Sequence, residues 1–259
     1  MSRIEKKFKS LDRPALVNFI TAGDPDHQTS LEAFKALAGA GADIIELGMP
    51  FTDPTADGSA IQKASERALA AGANMKQTLS MVRDFRAEDQ ETPIVLMGYY
   101  NPIFAYGLEA FSKDASEAGV DGLIIVDLPP EEDAPMQAAL KGQDIDLIRL
   151  ITPVTDKARL TTLLQGASGF LYYVSITGVT GTASADINAL TPHVQEIKSQ
   201  TDLPVVIGFG IKTPEDVKEM AQIGDGVVVG SAIVNILQSG GVEAVKGLVS
   251  DLSSAIRSL

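Results

Sequence analysis

A recurring punctuation runs through the chain: glycine, a short polar turn, then a run of β-branched and apolar residues. It reads A-G-V-D-G-L-I-I-V-D at 118–127 and I-G-D-G-V-V-V-G at 223–230, and Gly39 and Gly41 lead into Asp43 and the run I-I-E-L in the same way. A run that is apolar on both faces is what a parallel strand buried on two sides requires, and parallel neighbours need a crossover between them. Each copy therefore reads as a helix end feeding a parallel strand, and the repeating unit is β-turn-α. Strands are expected near 15–20, 43–48, 93–98, 122–127, 146–151, 169–175, 204–208 and 226–229. Eight such units close into a (β/α)8 TIM barrel. With 259 residues, 45% of them hydrophobic, the chain suits one barrel domain spanning 1–259. A doubly wound open sheet is the rival fold. Against it, Gly208-Phe209-Gly210 starts a dinucleotide fingerprint that Thr213 breaks at the third glycine, and no acidic ribose ligand follows at the expected distance.

Three helices are expected beyond the eight of the repeat. Ile4, Phe8 and Leu11 share one face near the N-terminus; Glu5 and the shortness of the segment favour a helix that plugs the barrel's bottom over a transit peptide. Asn74 to Gln77 offers a cap before Leu79, Val82 and Phe85, which places a second extra helix between strands two and three. After strand eight, Gly230-Ser231-Ala232 opens a short helix ending at Gly240-Gly241, ahead of the apolar stripe Val242, Val245, Val249, Leu252 and Ile256.

A net charge of -13 sets the chain against a nucleic-acid backbone or an anionic membrane surface. A small anion remains possible, because backbone N–H groups hold phosphate without a basic patch. There is no cysteine, which excludes disulfides and thiolate chemistry, and His27 and His193 lack metal-ligand spacing and read as surface or helix-start residues. No apolar run approaches the roughly 20 residues that cross a bilayer, so a soluble, cytoplasmic protein is expected.

The candidate chemistry lies in Asp43 to Gln62. Glu46 is a carboxylate inside an apolar strand, where water is scarce. Asp53-Pro54 and Asp57-Gly58 punctuate the turn that follows, and Ser59 to Gln62 has the form of a capping box that starts a helix at about Ala60. The plain alternative is a salt-bridged glutamate followed by two turn-forming aspartates. Gly208 to Gly210 after strand seven and Gly230-Ser231 after strand eight are where barrels of this kind bind phosphate. After strand six, S-I-T-G-V-T-G-T-A-S-A-D at 175–186 is a long run of small residues of the kind that forms a lid, and M-G-Y-Y-N-P-I-F-A-Y at 97–106 crowds aromatics onto a loop.

The string E-L-G-M-P-F-T-D-P-T-A-D-G at 46–58 strongly resembles the signature of the tryptophan synthase α-subunit family, and the likeness extends along nearly the whole chain. One departure is Ser59, where the family often has proline. The resemblance implies retro-aldol cleavage of indole-3-glycerol phosphate to indole and glyceraldehyde 3-phosphate. It makes Glu46 the catalytic acid/base and Asp57 the partner of the indole nitrogen. It implies that Tyr99 lies beside the indole ring and that Tyr172 and Phe19 lie against the substrate. Phosphate would be bound by Gly181, Gly210, Gly230 and Ser231, while Thr180 meets the acidic loop when a lid at 178–186 closes. It also implies a β subunit in an α2β2 heterotetramer, facing Asn101 to Phe104 and 127–132. No cofactor is expected in this chain, pyridoxal phosphate belonging to that partner. Two other readings remain: a phosphosugar isomerase on the same fold, and a non-catalytic subunit that only activates its partner.

Overall fold

The computed structural model describes residues 1–175, 187–208 and 210–259. Its strands are β1 (Ala15–Thr21), β2 (Ile44–Gly48), β3 (Ile94–Gly98), β4 (Gly122–Ile125), β5 (Asp146–Ile151), β6 (Leu171–Val174), β7 (Val205–Gly208) and β8 (Gly226–Val229). They follow one another in parallel around a closed barrel, β8 pairing back onto β1. The expected (β/α)8 TIM barrel is therefore the fold. Its described helices are α1 (Arg3–Ser10), α2 (His27–Ala40), α3 (Ser59–Ala70), α4 (Met75–Arg86), α5 (Tyr100–Tyr106), α6 (Leu108–Ala118), α7 (Ala134–Leu140), α8 (Lys157–Leu164), α9 (Ile187–Lys198), α10 (Pro214–Met220) and α11 (Ser231–Arg257). None of these is long and apolar enough to cross a membrane.

All three extra helices are present. Ile4 on α1 is fully buried against the barrel interior, packed with Val17, Ile44, Val95, Ile124, Ile148 and Phe170, so α1 does plug the bottom. Asn74 caps α4, its side chain accepting the N–H of Gln77 at 3.1 Å. Within α11, Gly241 has φ +70, a conformation that L side chains rarely adopt, and this kink separates a short helix after β8 from the long apolar one. Alternate residues of each strand fill the barrel, while the opposite set, such as Leu16, Ile45, Leu96 and Leu123, packs under the helices.

Three local expectations fail. The aromatic run after β3 is not a loop: Tyr100 to Tyr106 form α5, which ends where Gly107 takes φ +96. Ser59 is the first residue of α3, not its cap: Gly58 holds the cap position and no side chain caps the helix. Gln62 does reach back, but it donates to the carbonyl of Asp57 at 2.8 Å, because the acidic turn already lies over the helix start. His193 is not a surface residue. It is half-buried on α9, its Nδ1 3.0 Å from the hydroxyl of Tyr173 and its Nε2 3.1 Å from the carbonyl of Thr155. His27 does begin α2.

The glycine-and-aspartate punctuation has a physical purpose. Asp43 exchanges two hydrogen bonds with Leu16: its N–H donates to the Leu16 carbonyl at 2.8 Å, and its carboxylate accepts the Leu16 N–H at 2.8 Å. Asp121 does the same with Ile94, at 2.9 and 2.7 Å, and Asp225 with Val205, at 2.7 and 2.9 Å. Ser168 is the fourth member, its hydroxyl accepting the N–H of Leu147 at 2.9 Å while its own N–H bonds the Leu147 carbonyl at 3.0 Å. Each odd strand is thus clasped to the following even one at the barrel's bottom. Cations complete three of the clasps: Arg13 on Asp43, Arg86 and Arg3 on Asp121, and Lys198 on Asp225.

Candidate active site

At the other end of the strands, the barrel interior opens into a cavity of about 260 Å³. Side chains two apart on a strand share a face, so Glu46 follows Ile44 into the interior and stands level with Phe19 of β1. Glu46 is 0% exposed, and neither carboxyl oxygen meets a hydrogen-bond partner among the described residues. The salt-bridged reading therefore fails. Removal from water disfavours the charged form, and burial pushes this carboxyl up to about 8. At neutral pH it is mostly protonated, with a proton to give and room to take one back.

Asp57 reaches the same cavity from the loop after β2, half-buried, in a turn where its N–H bonds the Pro54 carbonyl at 3.0 Å. Burial pushes its carboxyl up to about 6, opposed by a hydrogen bond from the Tyr99 hydroxyl. It is therefore mostly ionised at neutral pH, though less securely than an open polar turn would make it. Arg67, in the last turn of α3, ties that end of the helix to Asp24 by a bidentate pair at 2.7 and 2.9 Å, while Gly58 to Ile61 at the other end run along the cavity.

Phe19, Met97, Ile61, Tyr172 and Val228 give the cavity an apolar wall. Tyr172 is buried, and its hydroxyl is pushed far above its ordinary range by burial and by the nearby Glu46 and Asp57, so it remains a proton donor. Polar and glycine positions complete the lining: Gly210, Lys212, Gly230, Ser231 and Asn235. Gly210 has φ +79, which leaves its backbone bare toward the cavity at a position where a side chain would be strained. Gly230 caps α11 with no side-chain hydrogen bond, and the first N–H groups of a helix have no partner within it, so this end of the cavity suits an anion.

Of the residues named from sequence, Glu46, Asp57, Phe19, Tyr172, Gly210, Gly230 and Ser231 come together around this one cavity. Tyr99 does not line it; it stands behind Asp57. Thr180, Gly181 and the expected lid at 178–186 lie outside the described residues. Sequence reasoning missed Lys212, which is the only cationic side chain lining the cavity among the described residues, and also Asn235, Met97 and Ile61. Lys212 was open to discovery, being two residues past Gly210; Asn235 lies one turn into an ordinary helix, with nothing local to mark it.

The family profile of the tryptophan synthase alpha chain matches residues 6–255. Among solved structures, tryptophan synthase subunit alpha from Legionella pneumophila str. Paris is 39% identical, covers 100% of both chains and superposes with a TM-score of 0.92. Tryptophan synthase from M. tuberculosis, in an aminoacrylate-bound form, is 34% identical with a TM-score of 0.90, over 99% of this chain and 100% of that one. A structure from Aquifex aeolicus VF5 is 38% identical, with a TM-score of 0.92 over 99% of each chain. A match over this span, on a barrel whose cavity joins a buried acid to an anion-ready rim, means that the chain belongs to the tryptophan synthase alpha chain family and has a lyase role in tryptophan synthesis.

Proposed function

We propose that this chain, acting as a single barrel domain, cleaves indole-3-glycerol phosphate to indole and glyceraldehyde 3-phosphate. The observation that carries the reading is Glu46: a wholly buried, unpaired carboxyl on the floor of a cavity with an apolar wall and an anion-binding rim. Cleavage needs the indole ring protonated at C3, which turns the ring into an electron sink, and then needs the carbinol proton removed. Glu46 gives its proton to C3 and, now a carboxylate, takes the hydroxyl proton. The bond from C3 to the carbinol carbon breaks, its electrons return to the ring, the carbinol becomes the aldehyde, and Glu46 ends protonated as it began. Asp57 stabilises the positive charge that develops on the indole nitrogen. Phe19 and Tyr172 hold the ring; Gly210, Gly230 and Ser231 offer backbone donors to the phosphate, and the Lys212 ammonium adds charge beside them.

This chemistry asks for no metal, flavin or nicotinamide from the chain. The proposed partner is a β subunit that carries pyridoxal phosphate, in an α2β2 heterotetramer, and the proposed setting is the cytoplasm. Phe104, 63% exposed with its ring 5.9 Å from that of Tyr100, supports a docking face on α5, the helix that follows β3. Family membership does not favour the isomerase or the non-catalytic subunit. The deciding experiment is indole release from indole-3-glycerol phosphate by the wild type and by Glu46→Gln. The variant is expected to lose about 10²-fold or more in turnover while still binding substrate. Near-wild-type turnover in Glu46→Gln would overturn the assignment.

A further inference from the structure

Tyr99 follows β3 and is only 4% exposed, yet it takes no part in the cavity wall. Its hydroxyl oxygen accepts the N–H of Ala56 at 2.9 Å, and its O–H is directed to Asp57, whose carboxyl it holds down against the effect of burial. Its ring lies 5.2 Å from that of Phe51. One phenol therefore touches both ends of the acidic loop 51–57, which otherwise has few anchors: Thr52, Asp53, Thr55 and Ala56 are all exposed. Burial and the charge of Asp57 push the Tyr99 hydroxyl above its ordinary range, so it remains a donor wherever the protein works.

We propose that Tyr99 is a positioning residue, whose hydroxyl ties the acidic loop to the end of β3 and fixes the Asp57 carboxylate at the cavity wall without touching substrate. The inference rests on the reading that Asp57 acts in the reaction. Other charged or titratable groups face Asp57: Glu46 from β2, Tyr172 from β6 and Lys212 from the loop after β7, with Asp127 acting on Tyr99 from beyond β4. None of these draws the Asp57 carboxyl down as the Tyr99 hydroxyl does, and removing that hydroxyl leaves them in place.

The test is Tyr99→Phe in the full chain, which keeps the ring and removes one oxygen. Indole release is followed as kcat/KM from about pH 5 to about pH 9. A hydrogen bond to a charged group holds a carboxyl down by about one unit, so the acid limb is expected to rise by that much. At pH 6 the variant should lose about fivefold beyond whatever it loses at pH 8. A limb that stays in place overturns the proposal. An NMR titration of the Asp57 carboxyl in the same variant needs no turnover, and an unmoved midpoint overturns it equally. Asp57→Asn separates this inference from its premise. If Asp57→Asn keeps both rate and acid limb, the role of Asp57 fails. If Asp57→Asn is impaired while Tyr99→Phe leaves the limb unmoved, only the role of Tyr99 fails. Binding of a non-cleavable indole alkyl phosphate completes the test: further weakening by Tyr99→Phe in the Asp57→Asn background means direct contact with ligand and also overturns the proposal.

Discussion

Glu46 and Asp57 face one cavity with protons held on opposite sides of neutrality, at about 8 and about 6. The proposed cycle starts with Glu46 protonated and Asp57 charged, so kcat/KM should be bell-shaped, rising through about pH 6 and falling through about pH 8. Asp57→Asn should remove the lower limb; a flat profile in the wild type would break the assignment of both groups. The same burial sets a stability prediction. The folded value for Glu46, about 8, lies above its ordinary 4.5. The stability associated with the neutral form is therefore whole below about pH 4.5 and is lost as pH rises through about 8. Thermal melts should show the wild type losing ground to Glu46→Gln between about pH 5 and about pH 8, and parallel curves would count against a buried, unpaired carboxyl. Glu46 was legible because a charge in an apolar run breaks the strand's own pattern. The place of Tyr99 was not: an aromatic on a loop reads alike whether it meets a ligand or a neighbouring loop, and only the fold brings Ala56 to its hydroxyl.

At the level of elements, the positions of three of the four bottom clasps stood out in the chain, because Asp43, Asp121 and Asp225 each sit just behind a glycine and before a β-branched run, but they read only as turns and their hold on the neighbouring strand came with the fold. The fourth hid in G-A-S-G at 166–169, where a serine reads as an ordinary turn and only strand pairing shows its hydroxyl on Leu147. The clasps should differ in weight. Asp121 is buried and carries Arg86, itself buried, so Asp121→Ala strands a guanidinium and should cost about 3–5 kcal/mol in urea unfolding. Ser168→Ala loses one neutral hydrogen bond and should cost about 1 kcal/mol. Equal losses at the two sites would refute this ranking. The misplaced cap at Ser59 has a more local origin: a short motif is legible only when no other acceptor competes for its donors, and the Asp57 carbonyl, five residues back, does compete for Gln62.

On the scale of the whole molecule, closure of the barrel was legible because counting runs needs no precise boundaries. A partner's footprint needs geometry that sequence does not carry. If the proposed β subunit docks on α5, Phe104→Glu should weaken its binding about tenfold or more, measured by calorimetry, since an exposed aromatic on such a face is a typical anchor. Unchanged affinity would move the interface elsewhere. The four clasps grip where the strands enter the barrel, and Glu46, Asp57 and the glycine rim lie where they leave it. The two ends are therefore separately adjustable. Substitutions among the outlet loops can retool what the molecule accepts while the fasteners at the inlet stay untouched, and the entry end can be hardened against heat or denaturant with the chemistry left alone. A chain laid out in this way can drift toward new substrates without first having to survive the loss of its fold.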